Sequence, residues 1–309
     1  MTSGVRTQPA TASTAGRLAA LRERLAMLAV LFKLRVVTLL LFAALGGAML
    51  GSGGALSWGA FGLLMLTGGM SAAGASALNQ VIERDRDHNM TRTRRRPLVT
   101  GQISPRAVLL VGGGMVLLAS GIAWAVGNPA LAIWLGFGAL IYVGVYTIWL
   151  KPRSPLNVVI GGAAGSAAII SGGAAAGAWN DPGVIGLALL LFTWSPIHFW
   201  SLALVYREDY RRTGLPMLPV VASQDRALFW MLAHALATGL FGLLLALHPA
   251  LGWAYLLPVG PATLWMLRES ARLRRDYSGK RALRVFTVSN VYLSIVLLAI
   301  VVVTLVVGG

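Results

Sequence analysis

Three oxygen-bearing side chains recur at a four-residue spacing where the second long apolar segment of the chain ends. Asn79, Glu83 and Asp87 occupy positions i, i+4 and i+8, so a continuous helix places them on one face over about 12 Å of its axis. Asp85 then points roughly the opposite way. Amide and carboxylate oxygens are ligands for hard divalent cations. The arginine-rich sequence TRTRRRP that follows at 91–97 suits an anion held beside such a cation.

A second acidic pair lies at the end of a later apolar segment. Glu208 and Asp209 stand in the sequence VYREDYRRTGLP at 205–216, where carboxylates again lead into arginines and then a proline. The two acidic motifs are four apolar segments apart, which indicates an internal duplication of the kind found in many membrane proteins. We therefore expect both acidic groups to face one cavity and to hold one or two magnesium ions against a diphosphate.

Basic side chains near the motifs would complete such a site. Those placed to neutralise phosphate oxygens are Arg92, Arg96, Lys151 and Arg153. An apolar bundle behind the polar groups would accept a long hydrocarbon chain and keep water away from a carbocation. Together these parts describe an enzyme that ionises an allylic diphosphate and transfers the prenyl group to an acceptor.

The composition is that of a polytopic membrane protein. Of the 309 residues, 57% are hydrophobic and only 12% are charged, a balance that soluble domains do not show. Cysteine is absent, which excludes disulfides, thiolate metal sites and cysteine nucleophiles. The Gly- and Ala-rich stretch at 161–177 favours close helix packing. We predict nine transmembrane helices, near residues 34–52, 57–82, 106–126, 130–150, 157–178, 184–206, 227–247, 250–268 and 285–307.

The distribution of charge predicts how these helices are oriented. Lys and Arg fall in the N-terminal tail, at the ends of the first segment, or in the loops after even-numbered segments. The positive-inside rule places the N-terminus in the cytoplasm and, with nine spans, the C-terminus outside. This pattern explains the net charge of +16, so nucleic acid is not expected as a partner. A bacterial plasma (inner) membrane is favoured over a mitochondrial one.

One membrane domain is expected over residues 26–309. It is preceded by a flexible cytoplasmic tail at 1–25, which is rich in Ser, Thr and Ala. The duplication suggests pseudo-repeat halves at about 34–150 and 157–268, followed by a ninth helix at 285–307. The predicted fold is thus an all-α bundle with a central cavity that opens to the cytoplasmic loops.

These motifs resemble the signatures of the UbiA-type intramembrane prenyltransferases. The residues that carry the likeness are ALNQVIERDRD (77–87), MTRTRRRPLVTG (90–101), YTIWLKPRSPLNVVIGGAAG (146–165) and HFWSLALVYREDYRRTGLPMLPVV (198–221). The last block is most similar to the protoheme IX farnesyltransferase (heme O synthase) branch of that superfamily. The resemblance spans about residues 30–305 and implies a nine-helix UbiA-type bundle.

The resemblance also implies a reaction. The farnesyl group of farnesyl diphosphate would be added with water to a vinyl group of heme B, giving heme O and diphosphate. The implied magnesium ligands are Glu83, Asp87, Glu208 and Asp209, and Asn79 would orient the diphosphate or a ligand. A heme A synthase or a terminal-oxidase assembly factor is an expected partner within the lipid bilayer.

The resemblance places acceptor binding in the HFW…YREDY block. His198 would be an axial ligand to the heme iron or a contact that orients the porphyrin. Trp194, Phe199 and Trp200 would pack on the macrocycle. Tyr206 stands where other UbiA-type enzymes have an aspartate, which is why this block points to heme.

Three departures and three alternatives accompany this interpretation. An early LTKPR-like start of the family pattern reads Leu31-Phe32-Lys33-Leu34-Arg35 in this chain. The family pattern has a glutamine and a later proline where this chain has Ser195-Pro196, and a proline pair where it has Ala168-Ile169. Both changes bear on the shape of the acceptor pocket. The alternatives are a UbiA-type enzyme that acts on a quinone precursor or a chlorin, a membrane transporter, and an inactive heme-binding or assembly protein.

Overall fold

Helices joined by short turns make up the described part of the chain. The computed structural model describes residues 14–91 and 93–307, and no β-strand is found among them. The α-helices are α1 (Thr14–Leu31), α2 (Leu34–Gly51), α3 (Trp58–His88), α4 (Pro105–Ala125), α5 (Pro129–Ala139), α6 (Asn157–Ala175), α7 (Pro182–Val205), α8 (Arg207–Arg212), α9 (Leu218–Val221), α10 (Gln224–Leu244), α11 (Gly252–Arg275) and α12 (Gly279–Val307). A π-helix (Leu140–Leu150) continues α5, and a 3-10 turn (Leu245–Leu247) continues α10.

Eight helical segments of the described chain are long and apolar enough to cross a membrane. They are α2, α3, α4, α5 with its π-helix, α6, α7, α10 with its 3-10 turn, and α12. The predicted multi-pass membrane fold is thereby confirmed, but the count of nine is not. The remaining expected span, at 250–268, lies in α11, which contains Pro258 and Pro261 and ends in arginines. These residues make α11 less apolar, so a C-terminus outside the cell stays a prediction.

α1 occupies part of the segment predicted to be a flexible tail. Residues 14–25 are helical, so the prediction is wrong for them, while residues 1–13 lie outside the described chain. The physical reason is the composition of the sequence RLAALRERLAML at 17–28, in which Ala, Leu, Arg and Glu all favour helix. The end of α1 is anchored to α3, because Gln80 Nε2 donates hydrogen bonds to the carbonyls of Val30 (3.0 Å) and Leu31 (2.5 Å).

Small residues let the central helices approach closely, as expected for the stretch at 161–177. A Cβ at Gly172 would overlap the carbonyl oxygen of Ala44, and one at Gly47 would overlap that of Ile169. The backbones of α2 and α6 are therefore in contact. α3, α5 and α7 also pack against α6, and the space between these helices forms the candidate site. The duplication of the two halves stays a prediction.

Candidate active site

The central helices enclose a cavity of about 760 Å³ that reaches the loops after α3 and α7. One end is lined by the first acidic motif, and the remainder by largely apolar side chains of α2, α5, α6 and α7. Ala168 and Ser195, two positions that depart from the family pattern, belong to this second part, and Ser195 Oγ donates to the Leu191 carbonyl at 2.9 Å. The expected central cavity is present, and its polar groups are concentrated at one end.

The last turns of α3 build the polar end of the cavity. Asn79, Glu83 and Asp87 all line it and are only 1%, 5% and 3% exposed. Asp85 lies on the opposite face, where it is exposed and pairs with a neighbouring arginine at 3.0 Å. Because α3 is unbroken up to its end at residue 88, the single face predicted from the spacing is confirmed.

A lysine and a threonine hold the amide of Asn79. Lys33 Nζ donates to Asn79 Oδ1 at 2.6 Å and to Tyr142 Oη at 3.1 Å. Asn79 Nδ2 in turn donates to Thr147 Oγ1 at 3.0 Å. Burial, together with the nearby charge of Arg96, lowers the pKa of Lys33 to about 7. Sequence reasoning assigned no role to this lysine, which stands with Arg35 at the start of the first apolar run.

Both carboxylates of the α3 face are paired with basic side chains from other segments. Lys151 Nζ binds the Glu83 carboxylate, and Arg96 Nη1 lies 2.5 Å from Asp87 Oδ2. Burial alone lowers the pKa of Lys151, but Tyr146 and the Glu83 carboxylate together raise it well above its ordinary value. Lys151 therefore stays charged in the cavity, and two of the four predicted phosphate-binding residues, Arg96 and Lys151, lie at the site.

Two tyrosines of the π-helix form the wall beside these cations. The rings of Tyr142 and Tyr146 stack with their centroids 5.9 Å apart and 11° between their planes. Lys33 Nζ lies 5.7 Å from the centroid of Tyr142, and Lys151 Nζ lies 5.5 Å from that of Tyr146. The i to i+5 hydrogen bond from Lys151 N to the Tyr146 carbonyl, 2.8 Å long, is typical of a π-helix, which is frequent at functional sites.

Charge and donor type decide what the polar end attracts. The basic residues that line it are Lys33, Arg95, Arg96 and Lys151, against the acidic residues Glu83 and Asp87. This excess of positive charge favours an anion. The two carboxylates and the Asn79 amide are hard oxygen donors of the kind that Mg²⁺ takes. Within residues 14–91 and 93–307, no cluster of three or more His, Asp or Glu is assembled.

Neither carboxylate of the second acidic motif is among the side chains that line the cavity, so the expected shared site of the two motifs stays a prediction. Glu208 has a side chain that is 58% exposed and pairs with Arg211 (3.2 Å) and Arg212 (3.5 Å) on α8. Asp209 is half-buried, and its carboxylate forms no ion pair or hydrogen bond with the residues the structure describes. The cause is the register of α8, a six-residue helix that turns Tyr210 into the cavity instead.

Of the other two predicted phosphate-binding residues, the structure describes only Arg153. Arg92 lies outside the described residues. Arg153 is exposed, and its Nη1 donates to the carbonyls of Ile148 (2.8 Å) and Trp149 (3.0 Å). Because these carbonyls end the π-helix, Arg153 caps a helix terminus. Its guanidinium is thus engaged by the backbone, and its role as a diphosphate ligand stays a prediction.

None of the three predicted heme-binding residues is among those that line the cavity. Trp200 is 2% exposed, and its ring meets the edge of His234 at 5.5 Å between α7 and α10. Tyr206 is exposed and ends α7. The aromatic residues of α7 that line the cavity are Trp194 and Phe199, the other two residues expected to pack on the macrocycle.

His198 contacts both of those aromatic residues. Its ring stacks on Trp194 at 4.4 Å and on Phe286 of α12 at 4.5 Å, and it meets Phe199 edge-on at 5.3 Å. Its Nδ1 lies 3.2 Å from Nδ2 of Asn290. The ring is therefore held firmly between α7 and α12.

Known proteins that are similar to this chain decide its family. The model of the UbiA prenyltransferase family matches residues 39–307. The chain belongs to the UbiA prenyltransferase family. It is therefore a prenyltransferase, an enzyme that uses a prenyl diphosphate and an acceptor in a membrane. This family membership confirms the resemblance seen in the sequence and leaves no support for a transporter.

The relatives of this UbiA-family chain include proteins named protoheme IX farnesyltransferase. One from Metallosphaera sedula is 41% identical over 281 residues, which cover 90% of this chain and 96% of the relative. Protoheme IX farnesyltransferase 2 from Paramagnetospirillum magneticum is 38% identical over 92% of this chain and 99% of its own. A third, from Thermus thermophilus, is 38% identical, and this chain spans 44% of its length.

Solved structures with the same fold include a digeranylgeranylglyceryl phosphate synthase and a UbiA homolog. The synthase has a TM-score of 0.78 at 18% identity and covers 92% of this chain and 99% of its own. The UbiA homolog from Archaeoglobus fulgidus, bound to GPP and Mg²⁺, has a TM-score of 0.59 at 19% identity over 89% of this chain and 99% of its own. At these identities the likeness establishes the UbiA fold alone.

Proposed function

We propose that this enzyme transfers the farnesyl group of farnesyl diphosphate to a vinyl group of heme B, adding water to give heme O and diphosphate. The observation that carries the proposal is a single cavity with paired carboxylates and cations at one end and a mainly apolar space beside them. The diphosphate suits the first part by charge, and the farnesyl chain suits the second by hydrophobicity. The choice of heme B rests on the relatives named protoheme IX farnesyltransferase.

The polar end supplies groups for both a metal and a diphosphate. Glu83 and Asp87 would hold Mg²⁺, and Asn79 would orient a ligand or the diphosphate. When bound, Mg²⁺ neutralises charge on the leaving diphosphate. Lys33, Lys151 and the arginines of the loop after α3 donate hydrogen bonds to the phosphate oxygens. The same cations that pair with the α3 face in the structure then share their charge with the substrate.

The chain also shapes the course of the reaction. Ionisation breaks the bond between C1 of the farnesyl chain and the bridging oxygen, and the electron pair leaves with the diphosphate. Tyr142 and Tyr146 offer aromatic faces that stabilise positive charge near this point. The apolar walls exclude water while the vinyl carbon of heme B attacks C1. Water captures the cation that forms next to the porphyrin and releases one proton.

For the second acidic motif we propose that Asp209, and not Glu208, serves the metal site. Glu208 is engaged by two arginines on the surface. Asp209 has no charged partner among the described residues and adjoins Tyr210, which lines the cavity. Asp209→Asn should therefore abolish turnover, whereas Glu208→Gln should keep most of it. The reverse order of activities would refute this assignment.

We further propose a bacterial plasma (inner) membrane with the N-terminus and the site on the cytoplasmic side. The basic residues of the loops after α3 and α7 support this orientation by the positive-inside rule. A heme A synthase or a terminal-oxidase assembly factor would then receive the product within the same bilayer. Cysteine substitutions in these loops, labelled from either side of sealed membrane vesicles, test the orientation.

The reaction is tested by expressing the chain in a membrane that lacks such an activity. Hemes are extracted, and their masses are determined. We expect a product heavier than heme B by one farnesyl group plus one water. Unchanged heme B, with the protein present and folded in the membrane, would refute the proposed function. A prenylated quinone or chlorin, formed when such acceptors are supplied, would identify a different acceptor.

A further inference from the structure

A polar contact between α7 and α12 lies beside the cavity and takes no part in the reaction described so far. On α7, Leu191, Trp194, Ser195 and Phe199 line the cavity, and His198 falls on the same helical face by its spacing. Its ring is packed between aromatic rings on both sides, so the ring has little freedom to rotate. What His198 can do therefore depends on which of its nitrogens carries the proton.

The side-chain amide of Asn290 determines that tautomer. Asn290 Nδ2 donates to the carbonyl of Phe286 at 2.8 Å and lies 3.2 Å from His198 Nδ1. The reversed amide would place Oδ1 against the Phe286 carbonyl, which brings two acceptors into contact and loses a hydrogen bond. Nδ2 therefore faces both groups, and His198 Nδ1 accepts its second N–H.

An imidazole whose Nδ1 accepts a hydrogen bond carries its proton on Nε2. Nε2–H of His198 has no hydrogen-bond partner among the residues that the structure describes. The group is thus a free donor beside Trp194 and Phe199, which line the cavity. In this tautomer Nε2 has no lone pair to offer to iron.

We propose that Asn290 is a positioning residue that holds His198 in the Nε2–H form, and that His198 donates a hydrogen bond to a carboxylate of the porphyrin acceptor instead of ligating its iron. This inference rests on the proposed function, which makes heme B the acceptor. The carboxylates are the anionic groups of that macrocycle. A charge-assisted hydrogen bond to one of them satisfies the free donor and orients the ring.

The position of His198 along α7 fits this role. It lies seven residues before the end of α7 at residue 205, which is about 10 Å along the helix axis. A porphyrin carboxylate at that depth remains near the polar end of the bundle, while the rest of the macrocycle lies against the apolar wall. His198 would thus select acceptors that carry a carboxylate, and iron would not contribute to their recognition.

The tautomer is measured on the full-length protein labelled with ¹⁵N-histidine in nanodiscs without any ligand. The chain has four histidines, so the signals of His198 are identified by their loss in His198→Gln. We expect a protonated Nε2 and an unprotonated Nδ1. Asn290→Asp, which accepts from Nδ1–H, should reverse the tautomer. A protonated Nδ1 in the wild-type protein would overturn the proposal, whatever the enzyme's reaction proves to be.

The ligand is tested by binding of heme B, metal-free protoporphyrin IX and its dimethyl ester to the same preparation. We expect heme B and the metal-free diacid to bind with similar affinity, and the ester to bind about tenfold or more weakly. His198→Gln keeps a hydrogen-bond donor and should preserve binding. His198→Met keeps only a possible iron ligand, so its affinity for heme B and for protoporphyrin IX should fall about tenfold. His234→Gln is the matched control and should bind like the wild type.

Iron-dependent binding, or a His198→Met variant that binds heme B better than His198→Gln does, would overturn the proposal. Failure of every porphyrin to bind the wild-type protein would overturn it as well. A failure of the proposed function is recognised separately, because it appears as absent heme O in the membrane assay. The tautomer and the binding order would still be measured in that case.

Discussion

The ion pair between Glu83 and Lys151 allows folding and catalysis to be separated by experiment. Their side chains are only 7% and 15% exposed, so removing one partner leaves the other charge unpaired in the cavity. Breaking a buried pair in this way costs about 3 kcal/mol of unfolding free energy. We expect Lys151→Met and Glu83→Gln each to lose roughly that amount. For a chain of this length the loss lowers the midpoint of thermal unfolding by about 5 °C.

The double variant with Glu83→Gln and Lys151→Met should lose less unfolding free energy than the two single variants lose together. With neither charge left, most of the lost stability should return, because replacing both members of a buried pair is nearly neutral. Farnesyl transfer should not return, because one metal ligand and one phosphate ligand are absent. The midpoint is measured in detergent at several heating rates, since unfolding of a membrane protein is often irreversible, and the activity is measured by heme extraction.

Two results would refute this reasoning. A double variant whose midpoint falls by the sum of the single losses would mean that the two charges do not stabilise each other. A double variant that regains farnesyl transfer would mean that neither residue serves the diphosphate. A control pair is available on the surface, where Glu208 and Arg211 are each 58% exposed; the corresponding substitutions should leave the midpoint nearly unchanged.

Three further outcomes are expected. Asp87→Asn should lower farnesyl transfer by about a hundredfold or more, whereas Asp85→Asn on the exposed face should keep wild-type activity. Lys33 is charged below its pKa of about 7 and neutral above it. The affinity of the enzyme for inorganic diphosphate, measured by calorimetry, should therefore fall as the pH rises through 7. In Lys33→Met this dependence of affinity on pH should be weaker. Gly172→Ala should lower the unfolding midpoint, because its Cβ overlaps the backbone of α2, while Gly113→Ala, which meets no atom within 4 Å, should not.

Contrary results would be informative in each case. Equal losses in Asp87→Asn and Asp85→Asn would show that only the charge of the loop matters. If the diphosphate affinity of Lys33→Met fell with pH as steeply as that of the wild type, the pH dependence would come from protonation of the diphosphate and not from Lys33. A Gly172→Ala variant as stable as Gly113→Ala would show that α2 and α6 can separate without cost.

The first motif could be predicted because a single periodicity governs it. Asn79, Glu83 and Asp87 lie on one uninterrupted α-helix, so their spacing alone determines that they share a face. Their burial also follows from the sequence, since α3 is apolar before this point and must pack against its neighbours in the bundle. Family resemblance pointed to the same three residues.

The second motif could not be placed by the same reasoning because the helix is interrupted before it. α7 ends at residue 205, and Tyr206 leaves helical geometry (φ −104°, ψ 30°) before α8 begins. The phase of α8 relative to the cavity is then set by tertiary packing. In that packing Tyr210 is buried and Glu208 faces the surface.

Two other features of the site have no sequence signal of their own. Hydrophobic periodicity does not distinguish an α-helix from the π-helix at 140–150, yet the wider register brings Tyr146 and Lys151 together. Lys33 adopts a left-handed backbone conformation (φ 48°) between α1 and α2. The sequence does not indicate it, because glycine is the residue that usually takes this conformation. Both features were accessible only from the folded chain.

The three pairs on the α3 face draw their cations from widely separated segments. Lys33, Arg96 and Lys151 are 46, 9 and 68 residues from the partners that they bind. During synthesis, therefore, the polar end of the cavity stays incomplete until residue 151 has been inserted and α1 has docked through Gln80. A nascent chain that ends before residue 151 thus lacks one of the cations proposed to bind the diphosphate. A diphosphate bound by all three cations would favour the completed bundle by mass action.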